Sequence, residues 1–542
     1  MGNAATDKAW ARLAALRLFA LLGVLGALQL YANRGVLDHD WVYFDDDINI
    51  VLNPHLTGGT SDTWRWAWTD ASYNRRYMPL GWLMFDFLFR LGGLNPAVFH
   101  ATGWLLAAAN AVTLMLVIRK FIAPADAPNS PPTIWADVCA ALVAAFFSLH
   151  PLRAETAGWA SALLYQGSTL LASLAVLAAF PTNGATTKRS SEWLGRLLFL
   201  FSLLLYPVCI GLPVLLVLAS GAAQVSAGWQ AAGKAVWQAV HRYAAWLLIA
   251  VAIGVTNVFA AATARTFSAL DNLQQYTLAA RLGRSALILG HMLSQLVWPG
   301  LTSPFYGDLA AAPALNRVFI PVLLAAVVAG FLIWKRTRRP TLCFALLLLA
   351  AMAPFIGLLD RGQTANDRYA FMPLAVLAVG LAGLAVRAAA PRHRLLVVLG
   401  LFTATIVALP SYRRALAVWQ NTATLQVRID LVTAARPDIR LGFARPATTD
   451  FLSGRYTESQ QRLRGGFAHF GADPELIAAA RFIEETRTSL TGDAGNPRMP
   501  PYAYMHFELA RKHEAAGHTL AANAHKAYAR ALMIGSAEDR KP

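Results

Sequence analysis

The chain has 542 residues, of which 56% are hydrophobic and only 14% charged, with a mean hydropathy of +0.43. A soluble domain carries about 25% charged residues, so this composition excludes a soluble enzyme, a disordered tail protein and a disulfide scaffold, and leaves a polytopic membrane protein with a soluble appendage. Lys and Arg total 47 against 30 Asp and Glu, a net +17; in a membrane protein that excess marks cytoplasmic loops and anionic headgroups, and with no nucleic-acid motif in the chain no nucleic-acid partner is expected.

A spanning helix needs about twenty mostly apolar residues. Such runs occur near 11–32, 98–118, 136–150, 157–180, 194–222, 243–263, 317–334, 341–358, 371–389 and 394–411. The first follows Lys8, Arg12 and Arg17 and reads as an uncleaved span with its N-terminus in the cytoplasm. Tyr206 and Pro207 interrupt the 194–222 run, and Pro breaks a helix. Two short helices there, crossing and returning, put every basic loop on the cytoplasmic side: Arg119–Lys120, Lys188–Arg189, Lys234 with Arg242, Lys335–Arg339 and Arg387–Arg394. The expectation is an all-α fold of about eleven spans in residues 1–411. Cys139, Cys209 and Cys343 sit in apolar runs as small hydrophobes, with no CxxC pair.

With that topology the segments 33–97, 150–156, 264–316, 359–370 and everything after 411 share the outer side, and they hold the polar clusters. The first loop carries Tyr43-Phe44-Asp45-Asp46-Asp47 and ends a short run at Asn53-Pro54. Adjacent carboxylates raise one another's pKa or recruit a cation, and a carboxylate beside an acceptor hydroxyl is a candidate base; a solvated acidic loop is the plain alternative. Trp64, Trp66, Trp68 and Tyr73 suit an interfacial belt. Arg75 and Arg76 stand on the outer side, against the usual bias, and their guanidiniums match a phosphate. His150-Pro151-Leu152-Arg153-Ala154-Glu155 forms an outer turn, with Glu155 and His150 as candidates for acid, base, metal or substrate contact. Trp298-Pro299-Gly300 and Ser303-Pro304-Phe305-Tyr306-Gly307-Asp308 follow a re-entrant or interfacial stretch over 284–299. Asp360-Arg361 and Asn366-Asp367-Arg368-Tyr369 precede a span, and Arg368 lies at the depth of a lipid phosphate. No Walker A loop, GxGxxG, HExxH, GxSxG or zinc spacing occurs, which argues against a nucleotide-driven pump, a dehydrogenase, a zinc protease and a serine hydrolase.

Residues 412–542 lose the apolar runs and carry helical patterns broken by Gly and Pro. Ala524, Tyr528, Ala531 and Leu532 have the spacing of the second helix of a tetratricopeptide repeat. A short TPR-like helical domain is expected, packed on the membrane part or binding a protein partner; a plain helical hairpin is the alternative.

Taken in order, the clusters resemble the GT-C type membrane glycosyltransferases, and most closely the bacterial relatives of the transmembrane-and-TPR protein O-mannosyltransferases. Phe44-Asp45-Asp46 through Asn53-Pro54 is similar to that family's first-loop Y-D-D…N-P motif, Arg76-Tyr77-Met78-Pro79-Leu80 to its R-P-L stretch, and Phe99-His100 to its F-H. His150 through Glu155 with Trp159 is similar to its H-P-x-x-x-E…W motif, and Trp298-Pro299, Ser303 through Tyr306 and Asp367-Arg368-Tyr369…Pro373 to its later outer motifs. The similarity covers roughly 30–410. It implies an inverting transfer from a sugar on a polyprenyl phosphate to a hydroxyl of a protein Ser/Thr or a glycan. Asp45 or Asp46 would be the base, and Arg368, then Arg75, Arg76 and Arg361, would hold the donor phosphate. Glu155 and His150 would assist, and Asn53, Tyr306, Asp367 and Tyr369 would line the substrate site. Members differ in their use of a divalent cation, so Mg or Mn on Asp45, Asp46 and Asp47 is left open. The family's charged residues after Trp159 are here Ser161 through Gln166, and Gln295 stands for a Lys; fewer charges line the site and the sugar is not assigned. The expected setting is a bacterial inner membrane with a periplasmic active face and tail. The competing readings are a non-catalytic membrane-anchored TPR adaptor and a transporter or flippase of lipid-linked glycan.

Overall fold

The computed structural model describes residues 4–122, 134–180, 188–263, 277–297, 299, 302–304, 306, 342–357, 366–388, 393–433, 443–452, 454–471, 474–491 and 501–538. The regular elements among them are helices, and no strand occurs. Six helices are long and apolar enough to cross a membrane: Arg12–Asp38, Pro96–Ile122, Ala160–Ala179, Pro207–Ala227, Asp367–Val386 and Arg394–Ala417. Two further pairs, Ile134–Ser148 with Pro151–Gly158 and Trp229–Arg242 with Ala244–Ala260, are each bent by 63° and raise the number to eight if each is one span. The expected run at 317–334 and the basic loop Lys335–Arg339 lie outside the described residues.

Leu16, Phe19, Val24, Leu395, Leu396, Phe402 and Val407 project outward from the first and last of these helices. Water would not tolerate so large an apolar surface, whereas acyl chains do; the protein is a membrane protein. The helix Arg189–Leu205 ends where Tyr206 turns extended, and Pro207 opens the next segment into Leu212–Gln224, so the expected break is present and has a sequence cause. The amphipathic helix Trp229–Arg242 exposes Trp229 and Trp237, as an interfacial helix does, and Arg242 donates to Glu192 at 2.8 Å. At the same end of the bundle Asp137, fully buried, takes Arg17 Nε at 2.9 Å and Arg119 Nε at 2.8 Å, tying three helices together.

On the opposite end the first loop folds as a series of short helices, Ser61–Thr69 and Pro79–Gly92 among them. The latter packs so closely on the Leu163–Ala179 and Arg189–Leu205 pair that a Cβ on Gly81 would sit 2.6 Å from the Leu205 carbonyl oxygen. The tail helices Pro501–Ala515 and Thr519–Glu538 form a hairpin turned at Gly517, whose φ is +78°. This hairpin lies on the first loop: Tyr502 stacks on Tyr43 at 4.6 Å, His525 meets Phe89 at 6.2 Å, and His518 Nε2 reaches Asp62 Oδ2 at 3.0 Å.

Candidate functional site

The first loop leaves the membrane through a 3-10 turn, Arg34–Asp38, and re-enters helix as a short π segment, Asp47–Val51. Between them Asp45 has φ +134°, a region that costs a non-glycine residue of the order of 1–3 kcal/mol. What holds it there is its neighbour. Asp46 is fully buried; its Oδ2 accepts from the Val42 amide at 3.0 Å and its Oδ1 from the Ser161 amide at 2.9 Å and the Ser161 hydroxyl at 2.5 Å. Burial pushes the Asp46 carboxyl up to about 7 against the pull of those hydrogen bonds. With Asp46 turned in, Asp45 points the other way, and its Oδ2 lies 3.9 Å from Arg76 Nη2. The Asp45 amide donates to Asp47 Oδ1 at 3.1 Å. Asn53 donates to the Asn49 carbonyl at 3.0 Å and accepts from the His55 amide at 3.0 Å, closing the turn. Asn74, with φ +49°, donates to Asn49 Oδ1 at 2.8 Å and fixes the strip that carries Arg76.

Arg76 lies 5.8 Å over the Tyr206 ring. Tyr206 occupies the break before Pro207, and its hydroxyl accepts from the Tyr165 hydroxyl at 2.7 Å, the two rings being 4.1 Å apart. Tyr165 in turn lies 6.3 Å from Tyr369. On the far side of this trio stands Arg368, its guanidinium 5.4 Å over Tyr369 and 5.6 Å over Trp159. Glu155 holds it from two directions: Oε1 takes Arg368 Nη1 at 2.7 Å and Oε2 takes the Arg368 amide at 3.0 Å. Arg368 Nε is buried with no hydrogen-bond partner. Asp367 accepts from the Tyr306 hydroxyl at 2.8 and 3.0 Å, and that hydroxyl accepts from the Ser303 amide at 3.2 Å and Gln295 Nε2 at 3.3 Å. The helix Leu278–Val297 is thereby fastened to the turn that carries Arg368.

Residues from the first loop, from 150–161, from 302–304 with Tyr306, and from 366–369 therefore meet at one end of the bundle. Asp45, Asp46, Arg76, Glu155, Arg368, Asp367, Tyr369 and Tyr306 belong to this connected set. Asn53 supports the loop from within. His150 stands at its edge: its Nδ1 accepts from the Leu152 amide at 3.4 Å, its ring stacks on Phe147 at 6.5 Å and it bonds the Leu296 backbone, so it caps the turn. Arg361, Trp298, Phe305 and Asp308 lie outside the described residues, as does the side chain of Arg75. Of the three adjacent aspartates, both Asp46 oxygens and one Asp47 oxygen accept from loop and Ser161 donors. Among the described residues no group of three or more His, Cys, Asp or Glu side chains is placed to hold a metal ion.

No protein-family model, no curated protein and no solved structure matches this chain. Its site is read from its own residues. Sequence reasoning passed over Tyr165, Tyr206 and Ser161 because none is charged; the one local signal was the Tyr-Pro break at Tyr206. After Trp159 the Ser161 hydroxyl anchors Asp46, and phenols lie between the two arginines.

Proposed function

We propose that the protein is a GT-C type inverting glycosyltransferase that moves a sugar from a polyprenyl-phosphate donor to an acceptor hydroxyl, of a protein Ser/Thr or a glycan, at the outer face of the membrane. One observation carries the reading: two guanidiniums, Arg76 and Arg368, flank a tyrosine trio at a membrane interface, with the Asp45 carboxylate beside one of them. Paired guanidiniums suit the oxygens of a phosphate, and the apolar helices beneath suit its lipid. Arg368 is bound through Nη1 while its Nε stays free to donate, so Glu155 positions the side chain without occupying all of it.

In this reading the acceptor oxygen attacks the anomeric carbon as the bond from that carbon to the phosphate oxygen breaks. The acceptor proton goes to Asp45, and the electron pair stays on the departing polyprenyl phosphate, whose growing charge Arg368 and Arg76 stabilise. Asp46 is a positioning residue, because its oxygens are committed to Val42 and Ser161. About eleven spans, a TPR-like tail, and a bacterial inner membrane with the site and tail in the periplasm complete the proposal.

The test is sugar release from labelled polyprenyl-phosphate sugars by the purified full chain. Asp45→Asn is expected to lower turnover by about 100-fold or more with the melting temperature unchanged. Turnover equal to wild type in Asp45→Asn, or none from wild type with any donor and a tested acceptor lysate, would overturn it, the latter in favour of the adaptor.

A further inference from the structure

Asp45 keeps a φ of +134°, a costly region for a residue with a Cβ. The Asp46 hydrogen bonds fasten this turn to the bundle through Ser161, and the tail holds it from the other side. Just past the last spanning helix, the Gln420 carbonyl accepts from the Asp40 amide at 2.8 Å. The Thr422 hydroxyl accepts from the Tyr43 amide at 3.1 Å and donates to the Trp41 carbonyl at 3.3 Å. Further along the tail, Tyr502 stacks on the Tyr43 ring at 4.6 Å with the planes 18° apart, and the Tyr528 hydroxyl lies 3.4 Å from the Tyr43 hydroxyl. Tyr43 and Leu52, before and after the aspartates, pack on one apolar cluster that holds Phe451, Ile483 and Tyr502.

The hairpin meets the loop along one face. Leu520, Ala524 and Tyr528 are spaced by four residues and lie above one another on the helix Thr519–Glu538. A Cβ on Gly58 would stand 2.7 Å from Leu520 Cδ2, and one on Gly93 would stand 3.3 Å from Ala524 Cβ. Tyr528, next in the row, is the residue that reaches Tyr43. This row sets the distance of the hairpin from the loop, and Tyr502 is buried where the two meet. The Tyr502 hydroxyl has no hydrogen-bond partner among the described residues, so its ring is what holds Tyr43.

We infer that Tyr502 is a positioning residue of the site, through which the tail hairpin holds the 43–47 turn in the conformation that presents Asp45 beside Arg76. The inference rests on the glycosyltransferase reading for the role of Asp45. Tyr502 acts through Tyr43, two residues from Asp45, and meets neither donor nor acceptor. Without the stack the turn is free to leave the costly φ, and the carboxylate leaves its place with it.

The experiment compares the purified full chain with three variants. Tyr502→Leu keeps an apolar side chain and loses the flat ring, and Tyr502→Phe keeps the ring. Tyr43→Leu removes the same stack from the loop side and carries the test if Tyr502→Leu does not fold. Each is read by hydrogen exchange of 42–49 and by sugar release from labelled polyprenyl-phosphate sugars. Tyr502→Leu is expected to quicken exchange in 42–49 about 2- to 10-fold, the worth of an aromatic pair, while exchange in the helix Pro96–Ile122 keeps the wild-type rate. Its kcat should fall at least about tenfold, as for a displaced reacting group. Its KM for the lipid donor should change little, because Glu155 still holds Arg368. Tyr502→Phe should restore both readouts, and Tyr43→Leu should match Tyr502→Leu. With a wild type that turns over, the inference alone is overturned by unchanged exchange in 42–49, by quickened exchange with wild-type kcat, or by a Tyr502→Phe as impaired as Tyr502→Leu. A wild type without turnover on any donor would overturn the glycosyltransferase reading, and the role at its base with it.

Discussion

Asp46 gives both carboxyl oxygens to three donors in the dry interior of the first loop, and this couples its protonation to folding. Its carboxyl holds a proton up to about pH 7 in the folded chain, whereas an unfolded aspartate releases it near 3.9. The folded state therefore binds more protons across that window, and its stability falls as pH rises from about 4 to 7 and levels off above. Asp46→Asn is expected to flatten this dependence in melting curves taken from pH 4.5 to 8, and an unchanged slope would show that Asp46 is not its source. Ser161→Ala removes one donor and should cost about 1–2 kcal/mol, read as a lower melting temperature. Glu155 offers a different case. Its two oxygens hold the side chain and the backbone of Arg368 at once, so Glu155→Gln should perturb the position of the guanidinium rather than the base. The expected result is a raised KM for the lipid donor with a smaller change in kcat; loss of kcat alone would mean that Glu155 meets the reacting atoms.

At the scale of elements, the helix Pro79–Gly92 sets the distance between the first loop and the tyrosines. Gly81 is what lets it approach, since the Leu205 carbonyl oxygen would stand 2.6 Å from an added Cβ and Leu164 Cδ1 3.0 Å from it. A backbone oxygen cannot rotate aside, so Gly81→Ala must move the helix. The expected cost is about 1–3 kcal/mol, together with weaker donor binding, because Leu205 directly precedes Tyr206. Unaltered stability and donor affinity would show that the contact yields. The break that carries Tyr206 was legible in the sequence, since a proline inside an apolar run has a local effect. The Tyr165–Tyr206 hydroxyl pair was not. It depends on which faces two helices turn to each other, and the apolar run around Tyr165 carries no polar period that fixes that face. The contact of Glu155 with Arg368 spans 213 residues; its two ends were legible as outer polar clusters, while their pairing needed the packing of the bundle.

For the whole molecule, one-sidedness was the legible property. Charge bias placed the polar segments on one side, and Asp45, Arg76, Glu155, Arg368 and Tyr306 do gather at one end of the bundle. The sequence left the tail open between packing on the membrane part and binding a partner, because its contacts with the first loop are single aromatic and histidine side chains in a helical pattern that any hairpin would share. Three of the four histidines in that docked hairpin, His506, His513 and His525, are buried. His506 Nδ1 and His525 Nδ1 are 2.7 Å apart, and the His513 ring stacks on His525 at 5.4 Å. Around them stand Tyr502 and Tyr528 from the hairpin itself, His518 beside His513, and His55, Asp62 and Phe89 from the first loop. Burial pushes His513 down to about 4, His506 to about 3 and His525 to about 2. At 2.7 Å the His506–His525 pair shares one proton, and a second would set two N–H donors facing each other. An unfolded histidine protonates near 6.5, so below that pH the unfolded hairpin binds more protons than the docked one. Docking stability is full above about 6.5 and drains away as pH falls towards 4. Hydrogen exchange of 501–538, corrected for the intrinsic rate, should therefore quicken between pH 7.5 and 5 while exchange in the helix Pro96–Ile122 does not. His525→Phe, which keeps a flat ring against Phe89 but cannot protonate, should remove much of that acceleration. Equal protection of the hairpin at both pH values would mean that the histidines do not hold the tail to the loop.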